Sequence, residues 1–153
     1  MRFDIYCGSI CKDNGKPTQL AACGILIVYT DDTYSKKRSY GYGLGNSTKN
    51  LADVQAVRLA LASISSKYRH IETHLYTNNP YVISMLEMVN GQYSKSAKTN
   101  IESIDEMRRW HSYYSCIITE KVDISDKYYL AAQGMAENCL KNQDMIDSGT
   151  TSV

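Results

Sequence analysis

The chain has 153 residues, 43% hydrophobic and 22% charged, the proportions of one ordinary globular domain with a single sizeable core. Seventeen basic against sixteen acidic residues leave a net charge of +1. That balance excludes a strong overall field toward nucleic acid or membrane, although a local basic face remains open. Five cysteines without a C-x-x-C pair argue against a disulfide framework or zinc site and for a reducing compartment. Met1-Arg2-Phe3-Asp4 lacks the apolar core of a signal peptide, and the most apolar run, 23–29, is too short to span a bilayer. The expectation is a soluble intracellular protein, cytoplasmic or nuclear, without a membrane partner.

Residues 2–10 alternate as a strand, with Phe3, Ile5 and Cys7 on one face and Asp4, Tyr6 and Gly8 on the other. Asp13-Asn14-Gly15-Lys16-Pro17 is a concentrated turn signal. Residues 21–29 predict a second, strongly apolar strand, and 33–44 a third, joined by a turn at Thr30-Asp31-Asp32. The third strand carries Lys36, Lys37 and Arg38, whose plainest reading is a charged guard on a sheet edge. Three closely linked strands predict an antiparallel meander.

The period then changes. Leu51, Val54, Val57, Leu61, Ile64 and Tyr68 predict an amphipathic helix, with Asn50 as N-cap and Asp53 three residues later. A fourth strand over 71–77 runs into a helix over 80–89, capped by Asn79, with Pro80 in its first turn and a stop at Asn90-Gly91. Residues 91–99 form a polar connector. Ile101, Ile104, Met107 and Trp110 mark another helix, and 113–120 a fifth strand. Tyr128, Ala132, Met135 and Cys139 share one stripe of a last helix over 126–142, followed by a flexible tail over 143–153. The order β-β-β-α-β-α-α-β-α predicts a single α/β domain over 2–142: a five-stranded mixed sheet with helices packed on it. His70 and His74 flank or lie in a strand, about 13 Å apart, too far for one ion.

Several local motifs sit on these elements in a recognisable order. They are Cys7-Gly8-Ser9 on the first strand, Ala22-Cys23-Gly24-Ile25-Leu26 on the second, and Thr48-Lys49-Asn50-Leu51-Ala52-Asp53 at the first helix. Thr77-Asn78-Asn79-Pro80-Tyr81-Val82 closes the fourth strand, and Tyr128-Tyr129-Leu130-Ala131 opens the last helix. Together they resemble a type 1 ribonuclease H across 2–140. The resemblance implies that fold, and with it cleavage of the RNA strand of an RNA–DNA hybrid by two magnesium ions held on four carboxylates.

Those four positions fall on Cys7, Asp53, Asn78 and Tyr128, so one carboxylate survives. Magnesium wants anionic oxygen; a thiol is too soft, an amide brings no charge and a phenol is protonated at neutral pH. The family's His-containing loop before the last helix is reduced to Val122-Asp123-Ile124-Ser125, without His. The resulting expectation is a pseudonuclease, not an enzyme, with neither metal nor cofactor, that acts by binding. Gly8, Ser9, Lys12, Lys49, Asn50, Asn78 and Asn79 are the expected contacts to a hybrid, duplex or single strand. Two alternatives stand beside it. One is a protein-interaction module or homo-oligomer with no nucleic-acid role. The other is residual metal-dependent ribonuclease H activity, to which Asp123 and Asp126 would contribute.

Overall fold

A computed structural model describes residues 1–89, 91–93 and 99–147. Strands β1 (Arg2–Lys12), β2 (Leu20–Thr30) and β3 (Ser35–Gly45) form the expected antiparallel meander. β4 (Glu72–Thr77) pairs parallel to β1, and β5 (Ile117–Lys121) parallel to β4, which gives the sheet order β3-β2-β1-β4-β5. Helix α1 (Lys49–Ser63) crosses from the β3 edge to β4, and α2 (Pro80–Glu87) and α3 (Ile101–Ser112) lead from β4 to β5. Helix α4 (Lys127–Asp147) closes the described chain.

Alternation on the strands splits the core between the two sheet faces. Phe3, Ile5 and Cys7 bury against Val54, Val57 and Leu61 of α1 and against Met85, Ile104 and Met107. Tyr6, Leu26 and Val28 point the other way and pack with Tyr129 and Ala132 of α4. Sandwiched between both layers, β2 is buried without interruption from Ala21 to Val28, hence its continuous apolar run.

The α4 face has one further device. Register aligns Gly8 with Gly24 and Gly24 with Gly41, so three glycines form a lane straight across β1, β2 and β3. The backbone of α4 lies in that lane. A methyl group on Gly24 would come within 1.8 Å of the Ala132 carbonyl oxygen, and one on Gly41 within 2.6 Å of Cys139 Sγ. No side chain larger than hydrogen fits beneath the helix at Gly24.

The structure corrects several expected boundaries. Thr48, not Asn50, caps α1: its Oγ1 accepts from the Leu51 amide at 3.3 Å, while Asn14 Oδ1 accepts from the Lys49 amide at 3.0 Å. The helix stops at Ser63, which leaves Tyr68 on a 3₁₀ turn (Ser66–Tyr68) instead of the helical stripe. The fifth strand begins later than predicted because Tyr113 caps α3 and Tyr114 turns into the core, donating to the Leu61 carbonyl at 2.5 Å. Helix α2 ends at Glu87, and α4 runs past 142 to Asp147. The expected stop at Asn90, the connector over 94–98 and the tail end over 148–153 lie outside the described residues.

Candidate functional site

Strands β1 and β4 run parallel and stop pairing at Cys7–Thr77. Beyond that level β1 continues to Lys12, β4 turns into α2, and the first turns of α1 lie alongside. The carboxyl ends of parallel strands meeting helix N-termini form the usual crevice of an α/β sheet.

Among the described residues, one acidic group occupies this corner. Asp53 is 4% exposed and is held by two other segments and by its own helix. The Ser9 hydroxyl donates to its Oδ1 at 2.5 Å, and Asn79 Nδ2 donates to its Oδ2 at 2.8 Å. The Lys49 ammonium lies 3.3 Å from Oδ2, one helical turn before it on α1. Lys49 Nζ also donates to the Ser9 carbonyl at 2.9 Å and the Ser9 hydroxyl at 2.8 Å. A buried carboxylate needs a paired cation and filled lone pairs, and this one has both. Asn79 links the rest: its Oδ1 caps α2 by accepting from the Tyr81 amide at 2.9 Å, and its Nδ2 also donates to Asn50 Oδ1 at 3.0 Å.

The four positions inferred from the family resemblance make different contacts. Cys7 is 2% exposed within the α1-side core; burial first, then neighbouring Cys23 and Asp53, push its thiol well above the usual range. Burial thus favours its neutral thiol over the nucleophilic thiolate. Asn78 donates its Nδ2 to the Val122 carbonyl at 2.8 Å, and so ties the end of β4 to the end of β5. Tyr128 belongs to the opposite sheet face, 5.3 Å from the Tyr6 ring and beneath Lys37 and Lys127. Its neighbour Tyr129, not singled out from the sequence, comes nearer the corner: burial, then Asp53 and Cys7, push its phenol up to about 12. Only the helical phase of α4, hidden in the pair Tyr128-Tyr129, separates the two.

The reserve acids are committed as well. Asp126 Oδ1 caps α4, accepting from the Tyr128 and Tyr129 amides at 2.9 and 3.0 Å, and Asp123 Oδ1 accepts from the Ser125 amide and hydroxyl at 2.8 Å. Among the described residues no group of three or more His, Cys, Asp or Glu is placed to hold a metal ion. With its one carboxylate saturated by Ser9, Asn79 and Lys49, this corner does not fit a two-magnesium centre.

Two expected nucleic-acid contacts also need correction. Gly8 is buried beneath α4, where an added methyl group would meet Gln133 Oε1 at 2.3 Å. Ser9 is fully buried, with both its hydroxyl and its carbonyl engaged. The accessible rim consists of Lys12, Lys49, Asn50, Asn78 and Asn79, all exposed or half-buried.

No family model matches the chain, and no curated protein matches it in sequence. Solved structures do match. LC9-RNase H1, a type 1 RNase H with the type 2 active-site motif, superposes with a TM-score of 0.78 at 16% identity, covering 93% of this chain and 73% of that one. RNase H1 of the halophilic archaeon Halobacterium salinarum NRC-1 gives 0.73 at 18% identity, covering 93% and 99%. LC11-RNase H1 in complex with RNA/DNA hybrid gives 0.70 at 16% identity, covering 92% and 98%. The chain adopts the ribonuclease H-like fold.

These neighbours overturn the expectation that the chain is not an enzyme. They are RNase H1 enzymes, and one of them carries a different active-site motif on the type 1 fold. Active-site residues thus vary while the fold persists, and the changes at Cys7, Asn78 and Tyr128 do not establish inactivity.

Proposed function

We propose that this ribonuclease H-like domain binds an RNA–DNA hybrid at the rim formed by Lys12, Lys49, Asn50, Asn78 and Asn79. The observation that carries the reading is the Asp53–Lys49 pairing at the strand ends. Among the described residues, the carboxylate at this corner, Asp53, is neutralised internally, so a phosphate backbone approaches a rim of amides and ammonium groups instead of an acidic cluster. LC11-RNase H1, of like fold, is solved with hybrid bound. Lys49 acts here through its field, since its protons are directed at Ser9 and Asp53. Lys12, exposed at the end of β1, contributes a positive charge to the same rim.

Binding of hybrid, duplex and single strand measured across a salt series tests this. Tighter binding of hybrid is expected, with affinity falling linearly on a log–log salt plot. Lys12→Ala is expected to lower that slope by about 1, and Lys49→Ala, which uncovers the Asp53 charge, to weaken binding further. Absence of hybrid binding at low salt would refute the proposal.

A second reading, cleavage of the RNA strand, is favoured by the altered active-site motif of LC9-RNase H1. It is checked by incubating hybrid with Mg²⁺ or Mn²⁺. Product that disappears in Asp53→Asn would support it, and no product above a buffer control would count against it.

A further inference from the structure

We infer that the far end of the sheet carries a second site, one that takes a single nucleotide unit: a flat base with its phosphate. A cavity of about 390 Å³ opens there between the β2–β3 hairpin and the end of α1. Its wall is aromatic, formed by Phe3, Tyr29, Tyr34 and Tyr68. Its cations are Lys36 and Arg38. Phe3 lies six residues before Ser9 on the same strand, which sets this cavity about 20 Å from the Asp53 corner.

Alternation on β3 assembles the cationic side. The edge strand carries three successive basic residues, but they do not act together. Lys37 turns to the α4 face, 5.1 Å above the Tyr128 ring, while Lys36, Arg38 and Tyr40 turn to the cavity. An edge guard explains exposed charge on β3; it does not explain why two of the three cations line the same cavity as the aromatic rings. Among the described residues, neither Lys36 nor Arg38 has a salt-bridge partner, and no acid lines the cavity. The neighbouring Asp31 is engaged by the Tyr29 hydroxyl at 3.3 Å and the Asp32 amide at 2.6 Å.

The aromatic side is braced and only partly covered. Phe3 packs on Tyr29 at 5.1 Å and edge-on to Tyr68 at 6.5 Å, and Tyr29 packs on Tyr34 at 5.8 Å. Tyr34 is 55% and Tyr68 42% exposed, Tyr68 with the Lys67 ammonium 5.0 Å over its ring, so Tyr34 offers the more open ring surface to a ligand. A π-face for a base beside unpaired cations for a phosphate is the pairing by which proteins hold single-stranded nucleotides without reading sequence. The cavity volume lies near the low end of the 300–1,000 Å³ typical of small-ligand sites, a size suited to one nucleotide unit.

The same chemistry is offered by a free nucleotide or by one residue of a single strand, and the test separates them. The full chain is titrated with adenosine 5′-monophosphate, with adenosine, and with a four-residue oligoadenylate, followed by calorimetry and by the amide NMR shifts of the β2–β3 hairpin. The monophosphate is expected to bind about tenfold more tightly than adenosine, moving hairpin resonances. Lys36→Ala/Arg38→Ala and, separately, Tyr34→Ala each cut that affinity about tenfold or more; these side chains are exposed, and circular dichroism checks that the variants fold. Oligoadenylate binding more tightly than the monophosphate, with the same variants affected, assigns the unit to a strand; equal affinities assign it to a free nucleotide. Hybrid binding at the Asp53 corner stays unchanged in Lys36→Ala/Arg38→Ala, so failure of either site is read independently. Binding that neither variant weakens, or no binding of monophosphate and oligonucleotide at millimolar concentration, overturns the inference.

Discussion

A single residue, Asp53, illustrates how one buried charge organises a corner of the sheet. Its oxygens gather Ser9 from β1, Asn79 from the β4–α2 junction and Lys49 from its own helix. Asp53→Ala would leave an ammonium, an amide and a hydroxyl without their partner, and loss of about 3 kcal/mol is expected in urea unfolding. Retention of wild-type stability would show that the network contributes little. The cysteines separate on the same local grounds. Cys116 is exposed, whereas Cys7 and Cys23 are buried, with thiols pushed upward by desolvation, Cys23 to about 12. A thiol reagent at pH 8 is expected to modify Cys116 rapidly and Cys7 and Cys23 only on unfolding.

Between elements, the glycine lane makes a prediction whose sign depends on position. Gly24→Ala drives a methyl group into the Ala132 carbonyl, so β2 and α4 must separate; a cost of about 3 kcal/mol or more and a clear fall in Tm are expected. Gly134, on α4 itself, has nothing within 4 Å of the added methyl group. Gly134→Ala is therefore expected to stabilise by about 0.5–1 kcal/mol, through helix propensity and a less flexible unfolded chain. Thermal unfolding of the two variants side by side checks the lane, and equal effects would dismiss it.

The whole molecule has an alkaline limit built into its core. Burial pushes Tyr114 up to about 12 from an ordinary value of 10.0, with Arg69 opposing, and raises Tyr76 and Tyr129 likewise to about 12. The unfolded chain then ionises first, binding fewer protons than the native state as pH rises past 10. These groups contribute stability that is complete below their unfolded pKa and lost as pH climbs through the folded one. Stability from urea titrations is expected to fall between about pH 10 and pH 12, beginning nearer pH 9 for the Cys23 share. Tyr114→Phe would remove its part of that fall while costing about 1–2 kcal/mol at neutral pH, because the Leu61 carbonyl loses its donor. A flat profile to pH 12 would contradict the burial assigned to these phenols.

Strand alternation, helical period and turn chemistry were enough to order the elements, because each depends on residues close in the chain. Phe3, Ile5 and Cys7 had to share a face, and Asn79-Pro80 had to start a helix. The motif order around Cys7, Asp53 and Thr77 pointed to the fold for the same reason. Partners remote in sequence were not legible. Nothing local distinguishes Asn78, turned to Val122, from Asn79, turned to Asp53, or Tyr128 from Tyr129. Three glycines spaced far apart became one lane only when register brought them level. Which segments are strands and helices, and which faces bury, follows from local period and so was legible in the residues alone. The tertiary structure decided what Asp53 pairs with, what lies over Gly24 and where Lys36 and Arg38 point. Those outcomes depend on long-range register and helix phase, where one residue's shift turns a side chain to the other face.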